Sequence, residues 1–119
     1  MTPMFKRIDT VFVYVSDLER SVQWYTNILG LQVRWNMQEY AILSISDGET
    51  PLTLMQAAEE QPIIPTGEQF NFFTPDIDKA HAYLTEQGVL VEEMNVDGGV
   101  KFFTFKDPDG NVLGACYFE

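Results

Sequence analysis

The sequence has one cysteine, one histidine and few basic residues, and each scarcity excludes a class of protein. A single cysteine, Cys116, can form neither an internal disulfide nor a cysteine-based zinc site. Only 7 lysines and arginines stand against 18 acidic residues, which gives a formal net charge of -11. A chain of this charge has no basic patch to displace counterions from nucleic acid, and anionic membranes repel it. We therefore expect neither as a partner.

Long apolar segments are also missing. No stretch approaches the length of a membrane-spanning helix, and residues 1–7 lack the apolar centre of a signal peptide. The sequence therefore predicts a cytoplasmic protein. Its acidity favours cationic ligands or a basic partner electrostatically, although acidity of this kind commonly only maintains solubility.

The apolar residues that are present form the pattern of one α+β domain. They make up 45% of 119 residues, enough for a single hydrophobic core. Residues 8–15, 31–37, 40–46 and 51–56 are predicted strands. Between the first two lies an amphipathic helix with Leu18, Val22, Tyr25 and Leu29 on one face. Ser16 is its predicted N-cap, paired with Glu19 in a capping box, and Gly30 ends it.

The second half repeats this order. Residues 57–68 are a linker that contains Pro62 and Pro65. A strand at 69–74 precedes a helix from Asp76 to Gly88, and strands at 89–96, 101–105 and 112–118 follow. The sequence thus predicts two tandem β-α-β-β-β modules, at 5–56 and 69–119, that form a curved mixed sheet around a cavity.

Three segments carry a resemblance to a known superfamily. They are Val15-Ser16-Asp17-Leu18-Glu19-Arg20-Ser21-Val22 followed by Trp24-Tyr25, then Leu29-Gly30-Leu31, and Asp107-Pro108-Asp109-Gly110-Asn111. Together with the duplicated element order, they resemble the vicinal oxygen chelate superfamily. Its members include glyoxalase I, extradiol dioxygenases, fosfomycin-resistance enzymes and bleomycin-binding resistance proteins. The resemblance implies the fold and a homodimer, assembled side by side or by exchange of modules, but it does not select one activity.

The metal-using members of this superfamily draw ligands from four cavity-facing positions. Carried over one at a time, those positions fall at Thr10, Thr53, Gln69 and Gly114. None supplies an imidazole or a carboxylate, so we expect no metal cofactor. Asp9 is adjacent to the first position, but alternation along a strand predicts that it points away. A metal held elsewhere, by Glu39 or Glu49 for example, remains open.

Alternation from these positions predicts the lining of the cavity. The expected ligand-binding residues combine aromatic, thioether and neutral polar groups: Thr10, Phe12, Tyr14, Thr53, Met55, Gln69, Asn71, Phe73, Gly114 and Cys116, with Val112 beside them and Trp35 at the rim. The same groups could instead fill the sheet interior. Because Gly114 has no side chain, we expect it to leave room for an open pocket.

These features favour a binding protein over an enzyme, and no catalytic residue is predicted. The expected ligand is a small molecule, aromatic or cationic, held without a metal as in bleomycin-binding proteins. One alternative is a metal-dependent lyase or dioxygenase with an atypical metal site. Another is a vestigial cavity in a protein that acts by association. The lone His81 is predicted to pack beneath the sheet rather than act as a base.

Overall fold

The computed structural model describes residues 3–60, 62–63 and 67–119. The elements follow the predicted order twice. The first module contains β1 (Val11–Val15), α1 (Leu18–Asn27), β2 (Gln32–Asn36), β3 (Tyr40–Ser44) and β4 (Leu52–Gln56). The second contains β5 (Glu68–Phe73), α2 (Ile77–Glu86), β6 (Asn95–Asp97), β7 (Val100–Lys106) and β8 (Val112–Phe118).

The strands form two four-stranded mixed sheets of the same topology. Their orders are β1-β4-β3-β2 and β5-β8-β7-β6. In each sheet the first strand of the module pairs parallel with the last, and the remaining neighbours are antiparallel. The chain divides into two compact units, Met1–Gln61 and Pro62–Glu119. The α+β fold class and the tandem β-α-β-β-β architecture are therefore confirmed.

Equivalent aspartates begin both helices. Asp76, where the sequence predicted that α2 begins, is its N-cap, since its Oδ1 accepts a hydrogen bond from the backbone N–H of Lys79 at 3.2 Å. In α1 the N-cap is Asp17, whose Oδ1 accepts from the N–H of Arg20 at 3.2 Å, so the prediction of Ser16 is wrong. Both residue types are good caps, and the extended backbone that a cap requires falls at Asp17.

Glycines with positive φ follow both helices, as predicted. Gly30 has φ +76° after α1 and Gly88 has φ +81° after α2, a region that other residues rarely adopt. Each helix has ten residues. Across the described ranges, no helix is long and apolar enough to cross a membrane.

The core of the first module lies between α1 and one face of its sheet. Helix α1 contacts β2, β3 and β4, and it buries Leu18, Ser21, Val22 and Tyr25. The facing strand residues are almost completely buried: Val13, Val15, Ala41, Leu43, Leu52 and Leu54. Because side chains alternate along a strand, the residues between them lie on the opposite face, which is free to form a site.

The second module is organised in the same way. Ile77 and Leu84 of α2 are buried with Phe103, Phe105, Leu113 and Ala115 of β7 and β8. His81, also on α2, has its Nε2 2.9 Å from the carbonyl oxygen of Glu92, and its ring meets that of Phe103 edge-on. This is the packing role predicted for the only histidine.

One predicted strand is much shorter than expected. The sequence predicted residues 89–96, but β6 spans only Asn95–Asp97. Its preceding segment does approach β7, through one isolated bridge at Val91 and a hydrogen bond from the N–H of Glu92 to the carbonyl of Thr104. The valines favour an extended backbone there, but the pairing is too irregular to form a continuous ladder.

Candidate functional site

The first module carries an open pocket on the face of its sheet opposite α1. Its volume is about 420 Å³. The lining residues are Arg7, Asp9, Thr10, Phe12, Arg34, Tyr40, Ile42, Glu49, Pro51, Thr53 and Met55. All belong to the first module, so the pocket is built by a single compact unit.

Strand register explains how these side chains come together. Phe12 pairs with Thr53, Thr53 with Ile42, and Ile42 with Trp35, which forms a row across β1, β4, β3 and β2. In the next row, Tyr40 pairs with Met55. Residues in register lie on the same face of a sheet, so both rows point toward the pocket side.

A pair of threonine hydroxyls lies within the pocket. Thr10 Oγ1 and Thr53 Oγ1 are 2.8 Å apart, and Thr10 Oγ1 also donates to the carbonyl of Pro51 at 2.9 Å. A hydroxyl has one proton, so Thr53 donates to Thr10 when Thr10 donates to Pro51. Both protons are then used within the protein. The pair consequently offers lone pairs, not protons, to a bound molecule.

The pocket lining contains equal numbers of positively and negatively charged residues. Arg7 and Asp9 are 3.6 Å apart and both largely exposed, and Arg34 and Glu49 complete two cations and two anions. Arg34 is the extra residue of a β-bulge between Val33 and Trp35. Bulges redirect side chains, and Arg34 here joins the pocket lining. The strong acidity of the whole chain is therefore not reproduced in this pocket.

Metal-using members of the superfamily bind a divalent metal ion, and the side chains that this chain has at the corresponding positions do not fit such an ion. Thr10 and Thr53 converge, as ligands from those two strands would, but each contributes a neutral hydroxyl already bonded within the protein. Imidazole and carboxylate are the donors that such an ion needs. Among the residues that the structure describes, no three or more of His, Cys, Asp and Glu are grouped where they could hold a metal ion.

The predicted residues of the second module lie on the second sheet. Asn71 pairs with Gly114, and Phe73 with Cys116, across β5 and β8. Phe73 also contacts the ring of Phe118 edge-on. Gln69 is exposed and lies in the segment where the pairing of β5 with β8 is interrupted.

The expectation that Gly114 leaves open space is wrong. A methyl group built on Gly114 would overlap Oε1 of Glu68 and Oδ1 of Asn71. These two side chains, both exposed, occupy the volume that the sequence suggested was free. Glu68 was placed in the linker by the sequence, whereas it is the first residue of β5.

The pocket brings together four of the predicted ligand-binding residues: Thr10, Phe12, Thr53 and Met55. Tyr14 and Trp35 lie on the same face of the sheet, in register with Met55 and Ile42, but outside the pocket lining. Both are more than half exposed. Gln69, Asn71, Phe73, Gly114 and Cys116 belong to the other unit.

Several pocket residues were missed. Asp9 was predicted to point away, but β1 begins only at Val11, so strict alternation does not extend to residue 9. Tyr40 and Ile42 could have been found, because they alternate with the apolar residues Ala41 and Leu43. No sequence signal predicts that Arg34 lines the pocket, since the alternation of apolar and polar residues does not show where a strand contains a bulge.

Comparison with known proteins identifies the family of the chain. Residues 7–114 match the profile of the Glyoxalase/Bleomycin resistance protein/Dioxygenase superfamily. The phenazine antibiotic resistance protein EhpR of Enterobacter agglomerans is 30% identical, over 87% of this chain and 86% of its own. The glutathione transferase FosA of Serratia marcescens is 26% identical, over 92% of this chain and 79% of its own.

A solved structure shares the fold over nearly the whole chain. It is TnmS3, an antibiotic binding protein from Streptomyces sp. CB03234, with a TM-score of 0.86 and 23% sequence identity. The match covers 99% of this chain and 100% of that one. The duplicated modules, the pairing of the strands and the match along residues 7–114 lead to one conclusion: the chain belongs to the Glyoxalase/Bleomycin resistance protein/Dioxygenase superfamily.

Proposed function

We propose that the protein binds a small aromatic molecule in the pocket of its first module, without a metal, and acts by sequestering that molecule. The observation that carries this proposal is the Thr10–Thr53 pair. At two positions where metal-using relatives place ligands, this chain has neutral hydroxyls whose protons are used internally. Such a pair can orient a ligand through hydrogen bonds, but it is a weak donor to a divalent ion.

The pocket has the size and walls of a small-molecule site. A volume of about 420 Å³ lies within the usual range for such sites, on the order of 300–1,000 Å³. Phe12 and Tyr40 offer aromatic faces, and Met55 offers an adaptable thioether. A flat ring system could stack against these groups, and an N–H or O–H group on its edge could donate to the oxygen of Thr53.

The similarity to EhpR supports an aromatic ligand. That relative is named as a phenazine antibiotic resistance protein, and phenazine is a flat system of three fused rings. A protein that only sequesters a toxic compound needs shape and stacking, and it needs no reacting groups. This agrees with a pocket that has neutral hydroxyls at its two metal-ligand positions.

A metal-dependent lyase or dioxygenase is the alternative. FosA, named a glutathione transferase, is an enzyme of the same superfamily, and the carboxylates of Asp9 and Glu49 line the pocket here. An atypical site would have to use these acids. The two proposals differ in whether binding depends on a metal.

The experiment is a titration of phenazine into protein treated with EDTA, followed by tryptophan fluorescence. Trp35 is in register with the pocket residue Ile42, whereas Trp24 lies on α1. A saturable change that is lost in Trp35→Phe and kept in Trp24→Phe would support the proposal. Matched samples purified without chelator receive elemental analysis and thermal-shift titrations with Ni, Zn, Mn, Co and Fe(II). Near-stoichiometric metal with saturable stabilisation would favour the enzyme instead.

We also propose a homodimer in the cytoplasm as the working form. The dimer is proposed because members of the superfamily commonly form dimers, and the cytoplasmic location is proposed from the composition of the chain. Light scattering on a size-exclusion column should give twice the 13.6 kDa mass of one chain. A mass of one chain at micromolar concentration would contradict it.

A further inference from the structure

The pocket contains a cation that the described part of the chain does not neutralise. Of 7 basic residues in the chain, two line this one pocket, Arg7 and Arg34. Arg7 is 3.6 Å from Asp9 and so has an acidic neighbour. Within the described residues Arg34 forms no ion pair, although Glu49 lines the same pocket.

Arg34 is held in a defined orientation. The β-bulge at Val33 and Trp35 places it on the pocket side, and its Nε donates to Oγ of Ser44 at 3.0 Å. A guanidinium has five N–H donors in a rigid plane, and this bond uses one of them. Four donors on the two terminal nitrogens remain, in the geometry that binds a carboxylate through two parallel hydrogen bonds.

We propose that Arg34 makes the pocket selective for an aromatic ligand that carries an anionic group, a carboxylate in the first instance. The inference deepens the proposed function and rests on it. The ring system would lie against Phe12 and Met55, and the anion would meet the terminal nitrogens of Arg34. Strand β2 is two strands away from β4, about 10 Å. A fused three-ring molecule can therefore reach from Thr53 to Arg34.

This selectivity is opposite to the one that the net charge of the chain suggests. A charge of -11 acts at long range and is screened by salt. Selectivity inside a pocket depends on the nearest groups and on their geometry. An arginine that binds an anion through two parallel hydrogen bonds is directional. The lining has equal numbers of both charges, and among the described residues Arg34 forms no ion pair. The pocket thus favours an anion beside Arg34, although the chain as a whole attracts cations.

The test uses three probes of one shape and different charge. Acridine-9-carboxylate is anionic, acridine is neutral and 9-aminoacridine is cationic at neutral pH. Dissociation constants are measured by calorimetry with the full chain at about 0.15 M salt. The carboxylate should bind at least tenfold more tightly than acridine, because charge-assisted hydrogen bonds are about twice as strong as neutral ones.

Substitutions assign the preference to one side chain. Arg34→Met should remove the preference for the carboxylate, so that the dissociation constants of acridine and acridine-9-carboxylate become equal within about twofold. Arg34→Lys, which keeps the charge but loses the planar guanidinium group, should keep part of the preference for the carboxylate. Arg20→Met is the matched control, since Arg20 is exposed on α1 and outside the pocket. It changes the net charge equally and should keep the whole preference. Circular dichroism checks the fold of each variant.

The outcomes separate the two proposals. Equal binding of acridine and its carboxylate would overturn the role of Arg34 and leave the aromatic binding function intact. Tighter binding of 9-aminoacridine would overturn it in favour of Asp9 and Glu49. No binding of any of the three would overturn the inference together with the proposed function. A preference that survives Arg34→Met would also overturn it.

Discussion

The hydroxyl oxygens of Thr10 and Thr53 lie 2.8 Å apart and share a hydrogen bond, at two positions that the resemblance assigns to the ligands of metal-using relatives. The parallel pairing of β1 with β4 brings these two positions together. The strand pairing that brings the two positions together is thus present, with threonines in place of imidazole and carboxylate. Under the proposed function, this part of the pocket recognises a molecule through hydrogen bonds.

Replacing Thr53 with valine should lower the stability of the fold and should weaken binding only of ligands that carry a hydrogen-bond donor. Valine keeps the shape but removes the donor to Thr10, and Thr53 is only 4% exposed. Loss of this hydrogen bond should lower the free energy of unfolding by about 1 kcal/mol, measured by urea denaturation. Thr53→Ser, which retains the hydroxyl, is the control.

The same pair of variants tests the proposed role of the hydroxyl pair. Calorimetry with phenazine, which offers no N–H or O–H, should show little change. Addition of an amino group to the ring should increase affinity more for the unaltered protein than for Thr53→Val, because the variant lacks the Thr53 oxygen and its lone pairs. Equal gains in both proteins would contradict this assignment.

The sequence predicted the scaffold more fully than the site, for a physical reason. Helix-ending glycines and apolar spacing are local signals, so the element order and the two tandem β-α-β-β-β modules could be inferred from them. Alternation from the carried-over positions Thr10 and Thr53 also placed Phe12 and Met55 on the pocket side of the sheet. It failed where strands are irregular. The bulge that delivers Arg34 and the late start of β1 that admits Asp9 depend on pairing with a neighbour, which one strand's sequence does not encode.

Gly114 illustrates a second limit. From the sequence a glycine in a strand suggests either free space or close approach of another group, and only the structure distinguishes the two. Here Glu68 and Asn71 fill the space. Both interpretations lead to a glycine at that position, but they predict opposite effects when a side chain is added.

Gly114→Ala should therefore destabilise the second module. The added methyl group displaces the side chains of Glu68 and Asn71, which are exposed and can turn away, so we expect a loss of at most about 1 kcal/mol in the free energy of unfolding. The double variant Glu68→Ala/Gly114→Ala should recover part of that loss. The absence of any recovery in the double variant would contradict a clash between Glu68 and the added methyl group.

Asp107 should be the most sensitive residue of the last hairpin. Its Oδ1 accepts from the backbone N–H groups of Asp109 and Asn111, each at 2.9 Å. Its Oδ2 accepts from Nδ2 of Asn111 at the same distance. Asp107 and Asn111 are both buried. The motif at 107–111 is thus a structural turn that holds β7 and β8 together.

Asp107→Ala leaves buried donors without their acceptor, so it should lower the free energy of unfolding by about 3 kcal/mol. Differential scanning calorimetry should record a fall of roughly 10 °C in Tm. Asp97→Ala, at an exposed position of β6, is the control and should change Tm little. Equal effects of the two substitutions would contradict a structural role for Asp107.

The double variant Thr10→His/Thr53→Glu should acquire metal binding. The two threonine oxygens converge to 2.8 Å, so an imidazole and a carboxylate at these positions can both reach an ion at about 2.0–2.2 Å. We expect a saturable thermal stabilisation with Ni²⁺ that EDTA reverses, about 2.7 kcal/mol at a metal concentration 100-fold above Kd. Thr10→Ala/Thr53→Ala and the unaltered protein should not respond. If the double variant also fails to bind while remaining folded, these two positions do not converge as ligands do. If it binds, the difference between a metal site and the pocket seen here lies in two side chains on an unchanged backbone.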